Sequence, residues 1–193
     1  MFYSMPIVDV TTPIMWMNAA EVAFLRSEGA LRGWSMGGTA EALYNEGITL
    51  SFAQLGASGA DAYINNSSSM PASYVDPLGT YTYGGAASTA KIKWDGSNDF
   101  ETNLEQIITQ KWIAMYPLGN EAWAEFRRTG YPKLMPVVLN KSGGTVNTEK
   151  MIRRLPYPDT EYTENAENIF NAIQMLGGPD TGGTNLWWDV KNK

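Results

Sequence analysis

The order of apolar and polar positions divides the chain into helical stretches separated by segments with no period. From about Pro13 to Leu31, Trp16, Ala19, Ala20, Ala23, Phe24, Ser27, Ala30 and Leu31 recur at steps of three and four, the spacing that gathers side chains on one helix face. Asn18, Glu21, Arg26 and Glu28 form the expected wet side. Thr12 stands as N-cap, Pro13 as first helical residue and Gly33 just past the end, which predicts a helix over 13–32. A second helix, 40–55, is capped by Thr39, carries Leu43, Tyr44, Ile48, Phe52 and Leu55 on one side, and stops at Gly56. So short a connection makes the two an αα-hairpin of the tetratricopeptide type, which needs further helices to cover it.

From 57 to 99 the period is lost in Gly, Ser, Asn, Pro and scattered aromatics. A brief helical turn near Asp61–Ile64 and a short strand near Lys91–Trp94 are expected within it. A connection of this length is unusual unless functional or disordered, and its aromatic content argues against disorder. Helical spacing resumes at 100–116 through Leu104, Ile107, Ile108, Trp112 and Met115. A shorter helix, 121–129, follows with Asn120 as cap and Gly130 as stop, giving a second hairpin. The remainder is irregular and Pro-punctuated until Thr163 caps a last helix, 164–176, ended by Gly177-Gly178-Pro179. No linker divides the 193 residues, so the reading is one mostly α-helical region of paired hairpins and long loops.

Composition narrows what such a scaffold does. There is no cysteine and no histidine, which removes disulfides, thiolate zinc sites, His-ligated metals and Ser-His-Asp or Cys-His catalysis within these residues. A net charge of −6, with only the short basic pairs Arg127-Arg128 and Arg153-Arg154, does not suit phosphate neutralisation, so no nucleic-acid partner is expected. No apolar run reaches the length of about 18 residues that spans a bilayer, and the first residues lack the pattern of a signal peptide. Charged residues make up 18% while Tyr, Trp and Phe number 10, 7 and 6, so aromatics and uncharged polar groups must supply much of the surface.

Several segments in this order resemble the C-terminal region of the SusD/RagB family, starch-utilisation-type lipoproteins of Bacteroidetes. Trp16 to Ala30 resembles a family helix that reads as an apolar residue followed by spaced Ala-Glu pairs. Ile107-Ile108-Thr109-Gln110-Lys111-Trp112-Ile113-Ala114 followed by Glu121-Ala122-Trp123-Ala124-Glu125-Phe126-Arg127-Arg128-Thr129-Gly130-Tyr131-Pro132 resembles its most recognisable stretch. Arg153-Arg154-Leu155-Pro156-Tyr157-Pro158, the helix from Asn165 to Leu176, and Trp187-Trp188-Asp189 resemble the family's end. The resemblance implies a tetratricopeptide-like scaffold that binds a glycan or another nutrient without catalysis or cofactor. It further implies delivery to a SusC-like TonB-dependent transporter and a place on the outer-membrane surface through an upstream lipid anchor. Members of the family are much longer, so the chain reads as the C-terminal part of one.

Candidate chemistry divides along the same lines. Glu121, Glu125, Arg127 and Arg128 are read as a structural charge network rather than a ligand site. Glu21 and Glu28, seven apart, are the minimum pair for a glycoside hydrolase, the less favoured enzymatic alternative. Asp95-Gly96-Ser97-Asn98-Asp99 resembles a calcium loop but lacks the closing glutamate, so turn plus helix cap is the reading and no metal is assigned. The loop aromatics Tyr74, Tyr81, Tyr83 and Trp94 are the candidate ligand site, because a sugar offers an apolar C–H face to a flat ring and a polar rim to nearby Asn and Asp. The bland alternative is that they close a core beneath the loop. Trp34 is a weaker candidate; Trp16, Trp112 and Trp123 are assigned to the core. A protein-binding tetratricopeptide scaffold without glycan affinity is the remaining alternative.

Overall fold

A computed structural model describes residues 8–189. Seven helices follow in order: α1 (Ala19–Leu31), α2 (Ala40–Gln54), α3 (Ala60–Ile64), α4 (Phe100–Ala114), α5 (Gly119–Thr129), α6 (Asp159–Glu164) and α7 (Ala166–Leu176). No strand occurs among the described residues; two isolated antiparallel bridges, Tyr74 with Tyr83 and Asn147 with Met151, are the extended pairings recorded. The chain groups into two compact units that meet in sequence at Leu134 and Met135, where no change of composition marks a boundary.

In the first unit α1 packs along α2 and against α4, and the core is Ala20, Phe24, Tyr44, Ile48, Leu104, Ile107, Ile108 and Ala114. Caps set the helix starts where the sequence places Thr39 and Asp99: Thr39 Oγ1 accepts from Ala42 N at 3.1 Å and Asp99 Oδ1 from Thr102 N at 2.7 Å. Asp95 takes the Ser97 amide and hydroxyl, so the 95–99 stretch is the turn and cap expected. α1 and α2 approach closely because Gly47 lacks a side chain; a Cβ there would lie 2.7 Å from the Phe24 ring.

The first helix begins later than its apolar period suggests. Thr12 does not cap it; its hydroxyl accepts from Asp9 N at 2.9 Å in a turn. Asn18 is the cap: its Oδ1 accepts from Ala20 N at 2.9 Å, and its Nδ2 donates to Ala114 O at 2.6 Å, joining the start of α1 to the end of α4. With Asn18 committed to both ends, residues 13–17 stay non-helical and Trp16 is 86% exposed rather than core. The expected strand at Lys91–Trp94 is absent because side chains take its carbonyls. Gln106 Nε2 donates to Lys91 O and Lys93 O at 2.9 and 3.0 Å, and the Tyr44 hydroxyl donates to Ile92 O at 2.6 Å. The turn near Asp61–Ile64 is present as α3. α5 starts at Gly119, one residue before the Asn120 cap read from sequence, and receives no side-chain cap.

The second unit is short of apolar burial. Ile169 is its one buried hydrophobic residue among those described, whereas Arg153, Arg154 and Asp189 are all buried. Arg153 makes a two-pronged pair with Asp189, Nε and Nη2 each 2.7 Å from a carboxylate oxygen. Arg154 pairs with Asp180, which also accepts from Tyr157 N at 3.0 Å and from the Tyr162 hydroxyl at 2.6 Å. A planar guanidinium suits this task, since Arg153 satisfies both oxygens of Asp189 at once and Arg154 meets Asp180 while its flat face lies over the Tyr157 ring. The last helical stretch is split: Asn165 leaves helical geometry between α6 and α7, and Thr163 lies inside α6 with its hydroxyl on Thr160 O rather than capping.

Gly47→Ala is expected to destabilise the first unit by about 1–3 kcal/mol, the usual cost of forcing a methyl into a packed contact. Urea unfolding followed at the aromatic signals measures it; an unchanged midpoint would mean that α1 and α2 can separate without penalty.

Candidate functional site

The candidate site lies on the long connection between α3 and α4. Tyr74 N donates to Tyr83 O at 3.1 Å and Tyr83 N to Tyr74 O at 2.9 Å, closing a small hairpin. Asp76 orders the turn inside it. Its carboxylate accepts the amides of Leu78, Thr80 and Tyr81 at 3.2, 2.9 and 2.9 Å, and these bonds, Tyr81 foremost, hold its pKa below the usual carboxylate value. Asp76-Pro77-Leu78-Gly79 is a turn signature, with Gly79 at φ 69°, which the reading of 57–99 by composition alone passed over. Tyr74 and Tyr81 stand 41% and 36% exposed, and Tyr83 is half-buried.

Trp94 has a different setting. It is half-buried and packs on Tyr44, ring centroids 5.3 Å apart, at the edge of the core. The bonds from Gln106 and Tyr44 to its neighbours pin the same stretch. Ser88, bonded to Glu105, and Lys93 N, which donates to Asn66 O at 3.0 Å, anchor the loop further. The hairpin therefore projects from a connection held down on both sides. The structure brings Tyr74, Tyr81 and Tyr83 together on one short hairpin and gives Trp94 the role of tethering the loop base.

The signature charges form a network that binds three helices. Arg128 spans Glu28, Nη1 to Oε1 at 2.8 Å and Nη2 to Oε2 at 2.5 Å, and also Glu125 at 2.8 and 3.2 Å. Arg32 reaches Glu28 from the next turn at 2.8 Å. Lys111, 2% exposed, sits between Glu21 at 3.4 Å and Glu125 at 3.2 Å. Glu28, assigned from the sequence to a wet face, is buried because Arg128 lies a hundred positions along the chain, beyond any helical period. Lys111 was read only as part of a motif, since nothing in its spacing reveals a carboxylate on either side. Glu121 is exposed, and the Arg127 guanidinium lies 3.7 Å from the centre of the Trp123 ring.

Burial pushes the Glu28 carboxyl up, but the hydrogen bonds from Arg128 and Arg32 outweigh it and hold the pKa below the usual value. A general acid for glycoside cleavage needs the opposite shift. Glu21 is engaged with Lys111. These two carboxylates are structural ions.

Comparison with known proteins places this architecture. The family model described as SusD-like, SusD and RagB outer membrane lipoprotein, matches residues 1–189. The chain belongs to the SusD-like family. A solved SusD homologue from Bacteroides uniformis is 52% identical with a TM-score of 0.89, over 95% of this chain and 38% of that one. One from Bacteroides thetaiotaomicron is 52% identical with a TM-score of 0.88, over 96% of this chain and 40% of that one. A chitin-binding SusD homologue from Flavobacterium johnsoniae is 49% identical with a TM-score of 0.83, over 91% of this chain and 36% of that one. The chain thus spans well under half the length of these relatives. No curated protein matches it. No helix among the described residues is long and apolar enough to cross a membrane.

Because the folded pKa of Glu28 is depressed, its contribution to stability is complete above the unfolded carboxyl value, near 4.5, and is lost as pH falls through the folded value. Glu28→Gln is expected to lower stability at pH 7 and to flatten the loss of stability between pH 5 and pH 3. Thermal melts across that range check it; parallel curves for both proteins would remove Glu28 from the acid response.

Proposed function

We propose that the chain is the C-terminal region of a non-enzymatic nutrient-binding protein that captures a glycan at the outer-membrane surface and passes it to a SusC-like TonB-dependent transporter. The observation that carries the reading is the exposed tyrosine hairpin, held in shape by Asp76 and anchored at its base by Trp94. Exposed rings on a pre-shaped loop lose little freedom on binding, and a flat ring matches the apolar C–H face of a sugar while the tyrosine hydroxyls meet its polar rim. Family membership and a chitin-binding relative support glycans over other nutrients. Tyr74, Tyr81 and Tyr83 make the contact; Trp94 supports the site by holding the base of their loop. Both compact units serve as one functional region of the longer protein.

Affinity of such an open site is modest, and linkage to a transporter that closes over the ligand raises the effective concentration. The paired charges leave no carboxylate of α1 poised for acid catalysis, which supports binding rather than hydrolysis.

Calorimetry of the chain against chitin, host and plant oligosaccharides should show saturable binding that Tyr81→Ala weakens by about tenfold. Trp94→Ala should instead lower unfolding stability by about 2–3 kcal/mol and reduce affinity through the loosened loop. A folded chain that binds none of the glycans but captures the transporter would make it a protein-binding scaffold.

A further inference from the structure

The second unit holds a cleft of about 810 Å³ at the junction of α7 with the tail that follows it. That volume falls within the range of about 300–1,000 Å³ typical of small-molecule sites. Tyr157, Met175 and Trp187 supply its apolar walls, and Lys150, Thr184 and Asn185 its polar side chains. Trp187 and Met175 are each 84% exposed.

Both arms of this cleft are fixed by the two arginine pairs. Arg154 lies 4.6 Å from the centre of the Tyr157 ring, and Asp180 holds both Arg154 and the Tyr157 amide, so the ring is locked from its backbone and its face. Arg153 holds Asp189, two residues beyond Trp187, and its amide donates to Gly182 O at 2.7 Å. Asn185 Nδ2 closes the tail on Asp189 O at 3.0 Å, and its Oδ1 accepts from Lys150 Nζ at 3.3 Å. Gly183 lets the tail pass close to Asn147, where a Cβ would meet that side chain at 2.8 Å. An aromatic cleft with both sides clamped by buried ion pairs is built for a ligand that needs rings at a set spacing.

Charge then selects the ligand. In a chain of net charge −6, Lys150 is the only charged residue in the cleft lining among the described residues, and no carboxylate of those residues lies in it. We infer that this cleft is a second glycan site, separate from the tyrosine hairpin, and that it takes an acidic oligosaccharide whose carboxylate pairs with Lys150 while a sugar ring lies against Trp187. The inference shares with the preceding section only the premise that the chain binds glycans. Lys150, steadied by Asn185, offers its ammonium to the carboxylate, and the tryptophan face covers the C–H side.

The test is calorimetry of the 193-residue chain with tri-galacturonate as the acidic probe and chitotriose as the neutral one, at low and high salt. Tri-galacturonate should bind more tightly than chitotriose at low salt and lose affinity as salt rises. Trp187→Ala should cut its affinity about tenfold or more, and Lys150→Gln about fivefold, with most of the salt dependence gone. Both side chains are exposed, so circular dichroism should confirm folded variants. A folded wild-type chain that fails to bind tri-galacturonate, or binding that neither substitution weakens, would overturn the cleft. The hairpin reading is decided separately, by Tyr81→Ala with neutral glycans.

Discussion

The contact on which the first unit depends is the fork of Arg128 over Glu28. It is the meeting point of α1 and α5, helices that share no extended apolar seam, and it also places Glu125 so that Lys111 of α4 can settle between two carboxylates. A buried lysine is tolerable only when its charge is answered on the spot, and a buried glutamate only when its lone pairs are filled. Each ion therefore requires the others. Such a network adds little net stability over apolar packing of the same volume, yet it admits one register of the helices, since a shifted α5 would strand charges in the interior.

That register is what carries the loop. α4 presents Gln106 and Glu105 toward the far end of the long connection, and α2 presents Tyr44, so the segment around Ser88 and Trp94 is held by bonds that the helix arrangement fixes. The hairpin beyond it needs only its own Asp76 to keep a shape. Scaffold and loop are thus separable in sequence but joined through a few side chains, which is how one helical frame can display different loops.

The helices were legible because their signals are local. Thr39 and Asp99 cap where they stand in sequence, and the core of α2 and α4 follows the helical period. The start of α1 was not legible, because the bond that sets it joins Asn18 to Ala114 across 96 positions. The aromatic candidates on the hairpin were picked out by composition, whereas the division of labour between them and Trp94 depends on Tyr44, a residue that the period assigned to the core of another helix. Tertiary partners of this kind leave no trace in spacing, and the buried position of Glu28 is the same case.

The two units also differ in what holds them. Between Met135 and the described end, arginine–aspartate pairs replace the cluster of aliphatic and aromatic side chains found around Phe24 and Ile107. Unfolding exposes little hydrocarbon there, and the heat-capacity increment of unfolding scales with exposed hydrocarbon. The C-terminal part should therefore follow a flatter curve of free energy against temperature than the helical part, and lose its order by a separate route in cold and in heat.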